Sequence, residues 1–225
     1  ATLTTTAYNN EHKRSWYKLK DIDVEGVLDD EGEFDPQSFG DIIGEINLGG
    51  EYAAIYQDFL EGGDSGGGAN GNIANLRLRD NNRQYYSRGV ALKLDVQAGM
   101  HDLEVGLRLH KDEEDRLQQD DNYTQIGGAL ALSSENELGK AGNRVAQAEA
   151  LAFYVHDTIT MGDWVVTPGI RFEDIELTRR DFTGGRDRVL NPTKNRDNSV
   201  TAVLPSLGAL YQVNDSLSLL AGVHS

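Results

Sequence analysis

The feature that most constrains this chain is an alternation of apolar and polar residues with a period of two. In one segment the apolar positions are Val90, Leu92, Leu94 and Val96. Successive residues of a strand point to opposite faces of the sheet, so this pattern predicts a strand with one aliphatic face. The same pattern recurs within 2–19, 103–110, 151–156, 164–173, 203–213 and 216–224. The sequence therefore predicts an all-β protein, an antiparallel up-and-down meander of about seven strands.

The connections between the predicted strands alternate between short and long. Tight turns are expected at 98–101, 161–163 and 214–215, and long connections at 20–84, 113–145 and 181–198. In a meander every second connection lies at the same end of the sheet, so one rim carries short turns and the other carries large loops. Outer-membrane β-barrels have this asymmetry, with short periplasmic turns and long extracellular loops. We therefore interpret the chain as part of a transmembrane β-barrel with three extracellular loops.

A soluble β-sandwich or barrel, acting as a binding module for carbohydrate or protein, is the alternative. In a sandwich the apolar face packs inward and the polar face meets water. Here the polar face also carries small residues that suit a crowded barrel interior, namely Gly106, Gly169, Gly208 and Gly222. Aromatic residues lie near the ends of the apolar stripes, where barrels have interfacial girdles, at Trp164, Phe172 and Tyr211. Both observations favour the transmembrane barrel.

Composition narrows the classes of function. The chain carries a formal net charge of −16, which argues against a nucleic-acid partner because phosphate binding needs a basic surface. The absence of cysteine excludes thiolate metal sites and cysteine nucleophiles. No apolar run approaches the length of a transmembrane helix, and residues 1–6 do not resemble a signal peptide. The segment 20–84 holds 15 acidic and 4 basic residues, and so supplies −11 of the net charge.

Four segments resemble the barrel of TonB-dependent outer-membrane transporters, most closely those of the ferric-dicitrate receptor type. They lie at 81–90, 101–116 and 162–173, and at 204–211 together with 214–215 and 221–224. The most specific of them, at 162–173, reads GDWVVTPGIRFE. The resemblance covers most of the chain outside the first two predicted loops.

The resemblance implies that residues 1–225 are an internal fragment of one barrel domain, about a third of a barrel of about 22 strands. Members of the family also have a plug domain and a TonB box, and no segment of this sequence resembles either. The implied function is active transport of a ferric chelate, an iron–siderophore or ferric citrate, across the outer membrane of a Gram-negative bacterium. The implied partners are the chelate, the TonB–ExbB–ExbD complex acting through the missing plug, and outer-membrane lipid and lipopolysaccharide. No enzymatic activity is expected, and no cofactor besides the transported ligand.

Arginine is the side chain that the resemblance assigns to ligand binding, because its planar fork matches a carboxylate bidentately. One group leads out of the loop at 20–84 and comprises Arg77, Arg79 and Arg83. A second group surrounds the loop at 181–198 and comprises Arg179, Arg180, Arg186, Arg188 and Arg196. We expect these eight residues to contact an anionic chelate. The alternative is that they pair with nearby aspartates or are simply solvated.

A second set of polar residues is expected inside the barrel, opposite the aliphatic stripe. It comprises Glu104, Arg108, His110, His156, Arg171 and Glu173, which we expect to form a charge network that contacts the plug. His110 and His156 fall on neighbouring predicted strands. The five histidines of the chain show no metalloprotease spacing, so we expect hydrogen bonding from them and no metal site.

Two local motifs are weaker candidates for chemistry. Residues 63–67 read Gly-Asp-Ser-Gly-Gly, like the nucleophile segment of chymotrypsin-like proteases, which needs a histidine base. Only His12 precedes this motif, in an unrelated context, so we expect a flexible loop apex and no hydrolase. Acidic clusters at 29–33 and 112–115 offer oxygen ligands to a cation, but without the spacing of an EF-hand, and we favour solvated loops.

Overall fold

Twelve strands and two short α-helices make up the parts of the chain that the structure, a computed structural model, describes: residues 1–27, 37–67 and 71–225. The strands are β1 (Thr2–Arg14), β2 (Tyr17–Val24), β3 (Gln37–Ser38), β4 (Ala74–Asp80), β5 (Arg83–Ala98), β6 (His101–Ile126), β7 (Ala129–Ser134), β8 (Gly142–Met161), β9 (Trp164–Thr183), β10 (Val189–Leu190), β11 (Arg196–Asn214) and β12 (Leu217–His224). The α-helices are α1 (Phe39–Leu48) and α2 (Ala53–Leu60), and 3₁₀ turns lie at Gly185–Asp187 and Pro192–Lys194. Within these ranges, no helix combines the length and apolarity needed to cross a membrane.

Seven long strands form one antiparallel sheet in the order β1-β5-β6-β8-β9-β11-β12. This meander confirms the predicted fold class. The sheet is open, since β1 and β12 each pair on one side only within the described residues. Two of the tight turns contain a glycine in the left-handed region, Gly99 with φ of 64° and Gly162 with φ of 60°. Glycine adopts a positive φ without a steric penalty, which suits two-residue hairpin turns.

The predicted long connections contain regular structure, so their description as loops is corrected. The segment 20–84 holds most of β2 together with β3, both α-helices and β4, and the strand expected over 2–19 is divided between β1 and β2. Strands β6 and β8 extend into 113–145, and β7 lies within it. The segment 181–198 contains β10 and both 3₁₀ turns. The extended part of β6 gave no alternation signal because both of its faces are polar, as at 112–115. Strands β2 and β4 do alternate, at Ile22 and Val24 and at Leu76 and Leu78, but these short runs were not recognised as strands.

The main buried apolar cluster lies beyond the rim of the long sheet, in a unit that we call the loop subdomain (residues 17–27, 37–67 and 71–80). Here β3, β2 and β4 pair in that order, and β4 continues onto the far end of β6. The two helices pack against this sheet and bury Ile22, Ile42, Tyr56 and Phe59. Helix α1 is capped at both ends. The hydroxyl of the N-cap residue Ser38 accepts from the backbone N–H of Asp41, and the C-cap residue Gly49 has a φ of 65°.

The Gly-Asp-Ser-Gly-Gly motif fastens the loop subdomain to the end of β6. The Ser65 side chain is 1% exposed, and its hydroxyl accepts from the backbone N–H of Gln125 at 2.8 Å. The Gln125 side chain in turn donates to the carbonyl groups of Phe59 and Gly63, both at 2.8 Å. The prediction of a flexible loop apex was therefore wrong for Ser65. A hydroxyl held in this way is a structural hydrogen-bond acceptor. Residues 68–70 of the same glycine-rich stretch lie outside the described residues.

One face of the seven-stranded sheet is aliphatic and uncovered. Directly paired residues share a face, and one row across five strands comprises Leu92, Leu107, Phe153, Phe172 and Val203. These side chains are between 37% and 56% exposed. A soluble sandwich would cover them with a second sheet, and the described residues supply no such layer. A face turned towards lipid needs none.

The opposite, polar face places aromatic rings over glycines. A Cβ atom at Gly106 would lie 2.0 Å from the ring of Tyr154. The hydroxyl of Tyr154 donates to Glu104 at 2.7 Å, which holds the ring over the neighbouring strand. At Gly89 a Cβ atom would meet the backbone carbonyl oxygen of Leu109 as well as the hydroxyl of Tyr8. Close approach of an aromatic ring therefore accounts for glycine at 106, and crowding by backbone and ring together accounts for it at 89.

We expect Gly106→Ala to destabilise the sheet by about 1–3 kcal/mol, because the added methyl group must displace the Tyr154 ring and its bond to Glu104. The measurement is the urea midpoint of the protein folded in lipid vesicles. Tyr154→Ala removes the obstacle, so Gly106→Ala should cost much less in that background. An equal loss of stability in both backgrounds would contradict this account of Gly106.

Candidate ligand-binding site

The arginines that follow the first predicted loop are already paired with carboxylates. Arg77 forms a bidentate pair with Asp21, with distances of 2.8 and 2.7 Å. Arg79 forms the same arrangement with Asp120, at 2.6 and 2.8 Å. Both pairs lie within the sheet of the loop subdomain, on β4 and its two neighbours. These two arginines stabilise that sheet, and the paired N–H donors of each guanidinium group are already used in a bidentate contact with a carboxylate.

The electrostatics of these pairs fit a structural role. The hydrogen bonds that Arg77 donates to Asp21 raise the pKa of Arg77, and those that Arg79 donates to Asp120 raise the pKa of Arg79. Burial raises the pKa of Asp120, but the hydrogen bond and charge of Arg79 together with the charge of Lys20 outweigh it, so the pKa lies below its usual value. The ionised form of Asp120 is therefore the form that stabilises the folded subdomain.

The arginines near 181–198 divide into paired and unpaired residues. Arg179 forms a bidentate pair with Asp181 at 2.7 and 2.9 Å, and Arg180 pairs with Asp197 at 2.6 Å. Arg188 reaches across to β6 and β8, where it contacts Asp115 and donates to Asn143 at 3.1 Å. Arg186 and Arg196 are exposed, and in the described part of the chain their side chains form no ion pair or hydrogen bond. Of the five predicted residues here, these two have free guanidinium groups.

Strand register assembles a set of arginines that the sequence analysis did not single out. Arg14 on β1 pairs with Arg83 on β5, Arg83 with Arg116 on β6, and Arg116 with Arg144 on β8. We call these four residues the arginine row. They lie on the polar face, because they have the same parity along their strands as Tyr8, Gly89 and His110. Only Arg83 was among the predicted ligand-binding residues.

One carboxylate serves three members of the arginine row. Glu114 contacts Arg83 at 3.0 Å, Arg116 at 2.9 Å and Arg144 at 3.6 Å. Arg14 instead donates to the hydroxyl of Tyr85 at 2.9 Å. The Nε atoms of Arg14 and Arg144 are buried without a hydrogen-bond partner among the described residues. The row therefore has more positive charge, and more donors, than its own side chains satisfy.

The charges in the row perturb one another. Burial raises the pKa of Glu114, but the charges of Arg116, Arg83 and Arg144 outweigh it, and the pKa lies below its usual value. Burial and the charge of Arg144 lower the pKa of Arg116. Like charges held this close favour an additional anion beside them.

A cleft of about 410 Å³ adjoins the end of the row, between the start of β8 and the end of β9. Its basic lining residues are Lys140, Lys194, Arg116, Arg144 and Arg179. Its acidic lining residues are Glu137 and Asp181, and Asp181 is already paired with Arg179. Row and cleft together form the most basic concave surface that we find in the described residues of this acidic chain.

The six residues expected inside a barrel all lie on the polar face, below the arginine row. Their contacts are local: Glu104 pairs with Lys93 at 3.0 Å, and Arg171 donates to Glu173 at 2.7 Å. Both Arg108 and His110 contact the hydroxyl of Tyr8. His156 pairs in register with Glu104, six positions from the level of His110, so the two histidines do not converge.

The acidic clusters do not converge on a cation. Successive residues of the cluster at 112–115 point to opposite faces of β6, where Asp112 contacts His110, Glu114 contacts the arginine row and Asp115 contacts Arg188. Among the described residues, no three His, Asp or Glu side chains are grouped so as to hold a metal ion. The cluster at 29–33 lies outside the described residues.

Comparison with known proteins decides the family. The family model described as "TonB dependent receptor-like, beta-barrel" matches residues 2–224. The chain belongs to this family. Its polar face is therefore the luminal face of a receptor barrel, and its aliphatic face is the outer one.

One solved structure resembles part of this chain. The chain is similar to the ferric citrate transporter FecA in its unliganded form, with 25% sequence identity and a TM-score of 0.44. The match covers 68% of this chain and 23% of that chain, so this chain spans about a quarter of the length of that receptor.

We expect acidification to loosen the loop subdomain through Asp120. Because the folded-state pKa of Asp120 is depressed, its stabilisation is present above the unfolded value of about 3.9 and is lost as the pH falls through the folded value. Hydrogen exchange in β4, corrected for the intrinsic rate, should accelerate between pH 5 and pH 3.

Asp120→Asn should remove most of this pH dependence, and Asp187→Asn, at an exposed aspartate, is the matched control. If β4 in the Asp120→Asn variant keeps the full acceleration, another group is responsible. Asp23 acts in the opposite sense, because burial raises its pKa, so its protonation does not add to the loss.

Proposed function

We propose that this chain is part of the barrel domain of an outer-membrane receptor that takes up a ferric chelate. The observation that carries this proposal is the arginine row with its adjoining basic cleft. A barrel that is polar inside and carries an excess of guanidinium groups near one mouth is suited to bind an anionic ligand there. The finer details of the proposal, the kind of chelate and its energy source, rest on the family and on this site.

The height of the row supports a position at the extracellular mouth. The outer face of β6 is aliphatic from Leu103 to Leu109 and becomes charged at Lys111. Arg116 lies seven residues above Leu109, which corresponds to roughly 23 Å along an extended strand. The short turns lie at the opposite end of the sheet and, in this class of barrel, face the periplasm. Ligand arriving from outside therefore meets the row before it meets the membrane-spanning part of the lumen.

The negative charge of the loop subdomain does not oppose this role at short range. Arg77 and Arg79 neutralise Asp21 and Asp120 within it. Exposed charges farther away are screened beyond about 8–10 Å at physiological ionic strength. At the row itself, four guanidinium groups face one carboxylate, so the local field favours an anion.

The remaining parts of the proposal concern the whole receptor. Residues 1–225 contribute strands to one barrel domain of about 22 strands, which a plug domain fills and the TonB–ExbB–ExbD complex energises. Glu104, Arg108, His110, His156, Arg171 and Glu173 form the luminal surface on which the plug rests. Lipid and lipopolysaccharide contact the outer face. The receptor moves its ligand and performs no covalent chemistry, in keeping with the buried, hydrogen-bonded state of Ser65.

We expect Arg144→Gln in the full-length receptor to weaken binding of ferric citrate about tenfold to a hundredfold, because each hydrogen bond to a charged group contributes about 1.5–3 kcal/mol. Binding is measured by titration calorimetry in detergent, with a neutral ferric trihydroxamate as the second probe. Arg88→Gln is the matched control, since Arg88 is an exposed arginine on the opposite, outer face of β5. Unchanged ferric citrate affinity in Arg144→Gln, or a larger loss in Arg88→Gln, would overturn the assignment of the site.

A further inference from the structure

Glu114 occupies the place that a ligand carboxylate would take in the arginine row. Its two oxygens already contact Arg83 and Arg116 at 3.0 and 2.9 Å, and Arg144 lies 3.6 Å away. Its side chain is 20% exposed, so it borders the space from which a ligand approaches. Among the described residues, the groups that donate hydrogen bonds to this carboxylate are guanidinium groups alone.

We propose that Glu114 is a built-in counter-anion of the arginine row, and that it sets the selectivity of the row for multiply charged ligands. The inference rests on the proposed function and names a specificity-determining residue of that same site. Glu114 holds the guanidinium groups together while the site is empty, and an anionic ligand competes with it for the same donors.

The charge balance of the row favours ligands with more than one carboxylate in this competition. Four guanidinium groups and one carboxylate leave three positive charges uncompensated. A ligand with one carboxylate replaces the charge of Glu114 and adds none. A ligand with two or three carboxylates also reaches N–H donors that Glu114 leaves unused on Arg83, Arg116 and Arg144, whose side chains are 19%, 17% and 23% exposed. The row therefore discriminates by the number of charges on the ligand.

Two members of the row stay in place when Glu114 is displaced, because Arg83 and Arg14 have contacts that do not depend on that carboxylate. Arg83 also donates to Asn81 at 3.0 Å and to the hydroxyl of Tyr85 at 3.3 Å. Arg14 shares that hydroxyl and lies 5.1 Å from the ring centre of Trp16. These uncharged contacts fix two of the four guanidinium groups in the absence of a counter-anion.

The test is Glu114→Gln in the full-length receptor, with ferric citrate and a neutral ferric trihydroxamate as probes. Glutamine keeps the shape and one acceptor but removes the competing charge. Affinity for ferric citrate should rise at least about tenfold, since a unit charge about 3 Å away contributes roughly a factor of ten even at the dielectric constant of water. Affinity for the neutral probe should not change. The dependence of ferric citrate binding on salt should become steeper.

Glu149→Gln is the matched control, because Glu149 pairs with Lys111 on the outer face of the same strands. It should leave the affinity for both probes unchanged. The melting temperature of each variant establishes that it is folded, and Glu114→Asp, which keeps the charge, should not gain affinity. Equal or weaker binding of ferric citrate by folded Glu114→Gln would overturn the proposal, as would an equal gain in Glu149→Gln.

Failure of this inference and failure of the proposed function are distinguishable. If the unmodified receptor binds ferric citrate and Arg144→Gln weakens it, the site is established and Glu114→Gln tests the counter-anion alone. If the unmodified receptor binds neither probe, the site assignment fails and the role of Glu114 fails with it.

Discussion

The register of the antiparallel ladder is the constraint on which the rest of this structure depends. Because side chains alternate between faces, one set of strand pairings fixes the aliphatic outer row at Leu92, Leu107 and Phe153 and the arginine row on the opposite face. A slip of one residue would exchange the faces and turn luminal charges such as Arg108 and Arg171 towards lipid. Such a slip is opposed by the cost of charge in hydrocarbon and by close fits such as Tyr154 over Gly106.

Two kinds of burial coexist in the chain. The long sheet is stabilised by its backbone hydrogen bonds and by lipid on one face, so it needs no apolar core of its own. The loop subdomain stands in water and has a conventional core around Ile22 and Phe59. It is joined to the sheet by the continuous strand β6 and by the contact between Ser65 and Gln125. The largest connection between the long strands described here is therefore a folded unit.

Local patterns in the sequence were sufficient for the strands that cross the membrane and insufficient above them. Alternation predicted seven strands and their faces, because lipid on one side and a polar lumen on the other impose opposite demands on neighbouring residues. Above the membrane both faces meet water, so the upper part of β6, which is polar on both faces, carries no such signal. The arginine row was not predicted from the sequence for a different reason. Arg14 and Arg144 lie far apart in the chain, and only the register between β1, β5, β6 and β8 brings them to one level.

Proximity in sequence to a loop was a poor guide to which arginines are free to bind a ligand. Arg77 and Arg79 were selected because they lead out of the first predicted loop, but that loop is acidic and its Asp21 is a bidentate partner close by. Apart from the exposed Arg186 and Arg196, the residues proposed to bind a ligand lie where arginines outnumber carboxylates, as they do around Glu114. The local ratio of cations to anions, set by strand register, therefore decides whether a guanidinium group stabilises the fold or serves a ligand. By that criterion the one carboxylate of the row matters as much to its selectivity as the four arginines.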